Sequence, residues 1–255
     1  MPNLRRNPRP LRAREDVNRF PLSPAQHQAL AALQQQLRRW NSRCNLTRLV
    51  EGDDYWVAQV QDSLWPLTRL DPPLGGPLRG VDVGTGGGIP GLVLAIALPE
   101  SRWVLVDSLQ HKCVAVQAMA GELGLKARVE VVCTRVEVLG RDAHYRGRFD
   151  VAVARAVAAA PVVAEYLAPL LDRRGVALLY RGRWSAADHQ ALQQAARKLG
   201  CGIRTRERCL LPGNRGQRHV LVLSPETACP APYPRPVGVP TRHPLATAPL
   251  PQPPT

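Results

Sequence analysis

A chain of 255 residues, 45% hydrophobic and 21% charged, can bury one substantial core with small additions. No apolar run approaches the roughly 20 residues of a membrane-spanning helix, and residues 1–19 are basic and proline-punctuated, without the apolar stretch of a secretory signal. The balance of 34 basic to 20 acidic side chains, +14, favours an anionic partner, nucleic acid ahead of a membrane surface.

Six cysteines without a C-x-x-C pair, and six histidines never at ligand spacing, argue against a disulfide scaffold or a metal site. A soluble cytoplasmic monomer is expected, with no metal and no membrane partner. The charge is uneven. Residues 173–218 carry eleven basic side chains against Asp188 and Glu207, whereas residues 80–172 are nearly neutral. One half suits a small ligand and the other a polyanion, although a bias toward arginine codons would give the same composition, since Lys112, Lys126 and Lys198 are the chain's lysines.

In chain order, residues 1–19 read as a disordered basic arm. Ser23-Pro24 opens a helix whose Leu30, Leu33, Leu37 and Trp40 form one apolar stripe, and a second helical stretch runs from Asp53 to Arg69. Together they make an N-terminal helical cap over residues 20–79, ending in the linker Asp71-Pro72-Pro73 with Gly75-Gly76-Pro77. Seven short apolar runs then alternate with helices: Gly80 to Val83, Arg102 to Asp107, Arg128 to Cys133, Phe149 to Ala154, Gly175 to Arg181, Gly202 to Arg208 and Arg218 to Ser224. That rhythm predicts an α/β, doubly wound parallel sheet over residues 80–224, with its ligand at the strand ends where the winding reverses. Eleven prolines from Pro225 onward predict a disordered tail over residues 225–255.

The first strand runs into Asp82-Val83-Gly84-Thr85-Gly86-Gly87-Gly88-Ile89-Pro90-Gly91. Taken literally, Gly86-x-Gly88-x-x-Gly91 matches a dinucleotide fingerprint, so an NAD(P)-dependent oxidoreductase is one reading. Asp82 opposes it, because a carboxylate there repels a pyrophosphate on the helix N-terminus. S-adenosylmethionine, with a sulfonium and an ammonium against one carboxylate, suits an acidic strand end better. Asp107 closes the second strand, where it can accept both ribose hydroxyls of either cofactor, or cap the helix from Gln110. Val136 and Glu137, after the third strand, offer backbone donors to an adenine, while an exposed glutamate at a helix start is the plainer account of Glu137.

Arg155 ends the fourth strand, near where a methyl group would move. None of the six cysteines stands there, which argues against pyrimidine C5 methylation through a thiolate. Asp71-Pro72-Pro73-Leu74 lacks the aromatic of amine-methylating tetrads and precedes the glycine turn. A guanine N7 has an in-plane lone pair and no proton to lose, so alignment and electrostatics suffice and no general base is needed. Arg155 could hold the guanine or the methionine carboxylate, or be a surface ion pair.

These residues resemble the small-subunit 16S ribosomal RNA guanine-N7 methyltransferase family, RsmG, also called glucose-inhibited division protein B (GidB). The resemblance spans about residues 23–224. It is carried by Arg39-Trp40-Asn41, Asn45-Leu46-Thr47, Asp62-Ser63-Leu64, the glycine turn, Asp107-Ser108-Leu109 with Lys112, Arg135-Val136-Glu137, Arg155-Ala156 and Gln217-Arg218-His219. Tyr233-Pro234-Arg235-Pro236 to Leu245 resembles family endings too. The resemblance implies a Rossmann-like S-adenosylmethionine-dependent methyltransferase fold acting on 16S ribosomal RNA or the small ribosomal subunit. It also implies cofactor contacts from Gly84, Ile89, Asp107, Ser108, Leu109, Val136, Glu137 and Arg155. Two positions depart from the family pattern: Gln59 stands where a histidine is usual, and Arg181 where a lysine is usual, which puts the RNA-approaching role of Arg181 in question. Trp40, Asn41 and Asn45 read as helix-end packing ahead of RNA contact. A non-enzymatic RNA-binding protein on the same fold is the remaining alternative.

Overall fold

The computed structural model describes residues 20–74 and 76–247; the arm expected over 1–19 lies outside them, as do residues 248–255. Ser23 caps α1 (Pro24–Asn41) in a reciprocal box with Gln26, with Pro24 in the first turn. Leu30, Leu33 and Leu37 are fully buried on its inner stripe.

The second helical stretch is not uniform. It begins as α2 (Gly52–Tyr55), widens into a π-helix over Trp56–Gln61, and closes as α3 (Asp62–Leu64) and a 3-10 turn at Trp65–Arg69. Such widening is frequent at functional sites.

The seven strands are β1 (Arg79–Val83), β2 (Arg102–Asp107), β3 (Val129–Cys133), β4 (Phe149–Arg155), β5 (Leu171–Arg181), β6 (Cys201–Leu210) and β7 (Gln217–Pro225). They form one sheet in the order β3-β2-β1-β4-β5-β7-β6. The first five are parallel, while β7 pairs antiparallel with both β5 and β6. The all-parallel expectation is therefore corrected at one edge. A five-residue run, His219 to Leu223, is buried on both faces and needs covered neighbours. Strand β6 alternates Arg204, Arg206 and Arg208 outward, a pattern suited to an edge.

Helices α1, α4 (Gly91–Ala97) and α5 (Gln110–Glu122) pack on one face of the sheet, and α6 (Val136–Leu139), α7 (Ala160–Leu167) and α8 (Ala186–Lys198) on the other. The winding reverses between β1 and β4. Both strand ends there open into a crevice.

The proline-rich tail departs most from expectation. Residues 226–247 are ordered against the α6–α7 face as a strap, with a short helix α9 (Val239–Arg242). Prolines prevent regular hydrogen bonding but not docking, and buried carboxylates of the core supply the missing polar partners. Glu165, fully buried, accepts from the Arg235 backbone and guanidinium at 2.7–2.9 Å. Arg146 donates to the carbonyls of Cys229, Pro230 and Tyr233.

Candidate active site

The crevice at the β1–β4 reversal holds a cavity of about 510 Å³, ample for a nucleoside-sized ligand. Gly84, Thr85, Gly86, Ile89, Asp107, Ser108, Val136 and Arg155 line it, so most of the residues singled out from sequence converge. Leu109 and Glu137 do not line it. Leu109 is the exposed N-cap of α5, and Glu137 is buried against the strap. Thr47, Gln59, Tyr166 and Thr241 line the cavity without having been expected to, since all four arrive through tertiary packing.

Asp107 does two things at once. Its Oδ1 accepts from Leu109 N at 3.0 Å, in keeping with a helix-start role, and its Oδ2 accepts from Gly86 N at 2.9 Å. Each oxygen keeps a further lone pair for a hydroxyl donor in the cavity.

Asp82 behaves differently from expectation. It is fully buried beneath the turn and does not line the cavity, so it offers no direct attraction to a cationic ligand. Asp107 is the carboxylate in the lining, alongside the cations of Lys112, Arg135 and Arg155. Asp82 Oδ2 accepts from Thr85 Oγ1 at 2.7 Å and Gly91 N at 2.8 Å, the latter at the very start of α4. The helix N-terminus is thus occupied by an internal carboxylate.

Most of the other turn amides are spent as well: Gly84 and Thr85 donate to Val106 O, Gly86 to Asp107, and Gly88 and Ile89 to Thr85 O. A pyrophosphate cradle needs those donors free. The glycine pattern therefore builds a tight turn most of whose amides already have partners within the protein. Gly84, at φ +71°, shows why glycine is required, because a Cβ there would stand 2.6 Å from Val157 Cγ2.

Burial pushes the Asp82 carboxyl up to about 6 from an ordinary 3.8, against the pull of Thr85 and Gly91. Between those pH values the folded state binds more protons than the unfolded one, so this group's contribution to stability falls as pH rises through the window. Asp82→Asn is expected to gain stability relative to the parent chain between about pH 4 and pH 6, with a constant difference above. Paired thermal melts across pH check this, and a pH-independent difference would refute it.

Arg155 sits where β4 ends and is no surface ion pair, its side chain being 17% exposed. It donates to Ala58 O and Asp62 Oδ2, both at 3.2 Å, and to Gln59 Oε1. The π-helix presents Ala58 O, and Gln59 donates onward to Thr47 Oγ1 at 2.9 Å. Gln59, the departure from the family histidine, is thus a bridge between the cap and the strand end. Asn41 staples the loop that carries Thr47, accepting from Leu46 N and Thr47 N, which fits the packing account of this residue.

Thr47, Gln59 and residues 155–158 also border a second cavity of about 820 Å³. Arg181, Arg183, Arg218 and His219 line its other side. Arg181 donates to Ala158 O at 2.6 Å, and Arg218 joins Arg155 on Asp62, at 3.5 Å. The two cavities meet at Arg155 and Ala156, the latter held at φ +56°, an uncommon conformation for a residue with a Cβ. Among the described residues no group of three or more His, Cys, Asp or Glu side chains gathers, and no helix is long and apolar enough to cross a membrane.

The family model described as "GidB: rRNA small subunit methyltransferase G" matches residues 26–216. The chain belongs to this family. Curated relatives carry the name "Ribosomal RNA small subunit methyltransferase G". One from Synechococcus sp. (strain RCC307) is 57% identical over 88% of this chain and 94% of its own, and one from Parasynechococcus marenigrum (strain WH8102) is 56% identical over 87% and 90%. Among solved structures, an O-methyltransferase from Bacillus cereus in complex with SAH superposes with a TM-score of 0.54 at 15% identity, covering 76% of this chain and 90% of that one. A putative methyltransferase from Thermoplasma acidophilum gives 0.50 at 11%, covering 63% and 74%. These two bear on the fold alone, the Rossmann-like methyltransferase sheet. By family the protein is a methyltransferase, and nothing supports the oxidoreductase reading.

Proposed function

We propose that this chain transfers the methyl group of S-adenosylmethionine to N7 of a guanine in 16S ribosomal RNA, acting in the cytoplasm on the RNA or the small subunit. The observation that carries the reading is the meeting of two cavities at the end of β4, one with a ribose-competent carboxylate and the other edged by arginines. The names of the curated relatives point to the same class of substrate.

The residues fit the donor. Asp107 would accept the ribose hydroxyls, and Gly84, Thr85 and Ile89 would pack against the donor. Ser108 and Val136 would border the base. The bound donor supplies an electrophilic methyl on a sulfonium, and the protein's task is alignment. Arg155, braced by three cap groups, holds the junction through which the methyl passes. Arg181 and Arg218 would meet the phosphates or the guanine edge. Asp62, the carboxylate of the second cavity, is held between two arginines, which agrees with an acceptor nitrogen that has no proton to lose.

Incubating the protein with 16S ribosomal RNA and labelled S-adenosylmethionine, then mapping the modified base, tests this directly. A labelled guanine N7 supports it; no label despite RNA binding favours the non-enzymatic alternative. RNA affinity should fall steeply with salt, by a slope of roughly 0.7 to 0.9 per phosphate contacted. Asp107→Ala is expected to weaken S-adenosylhomocysteine binding by about 1 to 3 kcal/mol in calorimetry, and unchanged affinity would reduce Asp107 to a helix-start residue.

A further inference from the structure

The strap lies beyond residues 26–216, the span matched by the family model, yet it completes the cavity wall: Thr241 on α9 lines the cavity beside Tyr166 and Val136. Its placement is specified by groups buried in the core. Glu165 takes Arg235, and Glu137 accepts from Gly238 N at 3.0 Å. Lys198 donates to Leu245 O at 2.8 Å, beyond α9.

The hydrogen-bond order around Thr241 has a direction. Burial raises the Glu137 carboxyl, but the Arg135 guanidinium and the Gly238 amide outweigh it and hold it below its usual range, so it is ionised and can only accept. Tyr166 OH lies 3.3 Å from Glu137 Oε1 and must donate to it. Tyr166 has a single proton, so at its 3.0 Å contact with Thr241 it accepts, and the Thr241 hydroxyl donates. Thr241 is then left with lone pairs only. Toward the cavity it presents an acceptor.

An acceptor at this end discriminates among nucleobases. The cavity lining includes the β1–β4 reversal, Asp107, the ribose group, and Val136 at the start of α6 beyond β3, on the side where Gly238 N meets Glu137 and Thr241 lines the wall. We propose that the Thr241 hydroxyl oxygen, carried on the strap, is the acceptor that reads the exocyclic amino group of the donor's adenine. A base with a carbonyl there would set two acceptors against each other. The inference rests on the S-adenosylmethionine reading and adds a specificity-determining residue to it.

The test uses the full chain and calorimetric titration with two probes: S-adenosylhomocysteine, and the analogue whose 6-amino group is replaced by oxygen. The parent protein should prefer the amino form by about tenfold or more. Thr241→Val gives up the bond to Tyr166 and should lower the melting temperature of the free protein slightly, while it brings the two affinities within about twofold of each other. Thr241→Ser should restore the preference. Equal affinities in the parent protein, or an unchanged preference in Thr241→Val, would overturn the role of Thr241 while leaving the donor assignment intact. Failure of the parent protein to bind either probe would remove both.

Discussion

Replacing Arg155 by alanine is expected to abolish methyl transfer and to lower stability by about 3 to 5 kcal/mol, the usual cost of stripping one partner from a buried ion pair. Asp62 has a side chain only 9% exposed, and burial already pushes its carboxyl upward against the pull of Arg155 and Arg218. Without Arg155 it keeps Arg218, at 3.5 Å, and the Trp65 side chain. Ala58 O, on the π-helix, and Gln59 Oε1 would lose this donor together, so the cap loosens from the strand end at the point where the two cavities join. Arg155→Lys retains the charge but not the planar fork, and should recover part of the stability with little activity. Urea midpoints and labelled-methyl incorporation read the two effects separately. A stable, active Arg155→Ala chain would show that the bracing of β4 by the cap is incidental.

Arg235→Ala is expected to cost a comparable amount, about 3 to 5 kcal/mol, although Arg235 lies in a segment whose composition reads as disordered. Glu165 has no exposed surface and takes its hydrogen bonds from Arg235, the backbone amide and two guanidinium nitrogens. Truncating the guanidinium leaves a buried carboxylate with one donor. The double change Arg235→Met with Glu165→Gln removes the charge as well as its partner and should recover most of the loss. Urea unfolding of Arg235→Met, Glu165→Gln and the double variant, beside Arg235→Ala, settles the comparison. Additive losses in the double variant would mean that the strap is held by apolar contacts and that the ion pair contributes little.

Both results depend on features of different legibility. The helix start at Ser23-Pro24, the strand rhythm, the crevice at the strand ends and the convergence of Gly84, Asp107, Val136 and Arg155 all follow from local patterns. Hydrophobic period, capping chemistry and the glycine turn act over a few residues and survive without knowledge of the partners. Asp82 shows the limit of that reasoning. Its position at the strand end was visible, but its direction was not, and the carboxylate serves the turn from beneath instead of facing the ligand. Dinucleotide binding is disfavoured all the same, because most of the amides that a pyrophosphate needs already donate within the protein.

The amino-acid sequence by itself determined the α/β alternation, the turn that shapes the crevice and the family to which the chain belongs, because each is written in short-range spacing. Tertiary structure alone decided that β7 enters the sheet between β5 and β6, that a widened helical turn braces Arg155, and that the proline-rich segment returns to wall the cavity. In each case the deciding partners lie far apart along the chain. Glu165 with Arg235, Glu137 with Gly238, and Asp62 with Arg155 meet only after the core has formed, and a buried carboxylate takes whichever donor the fold brings to it.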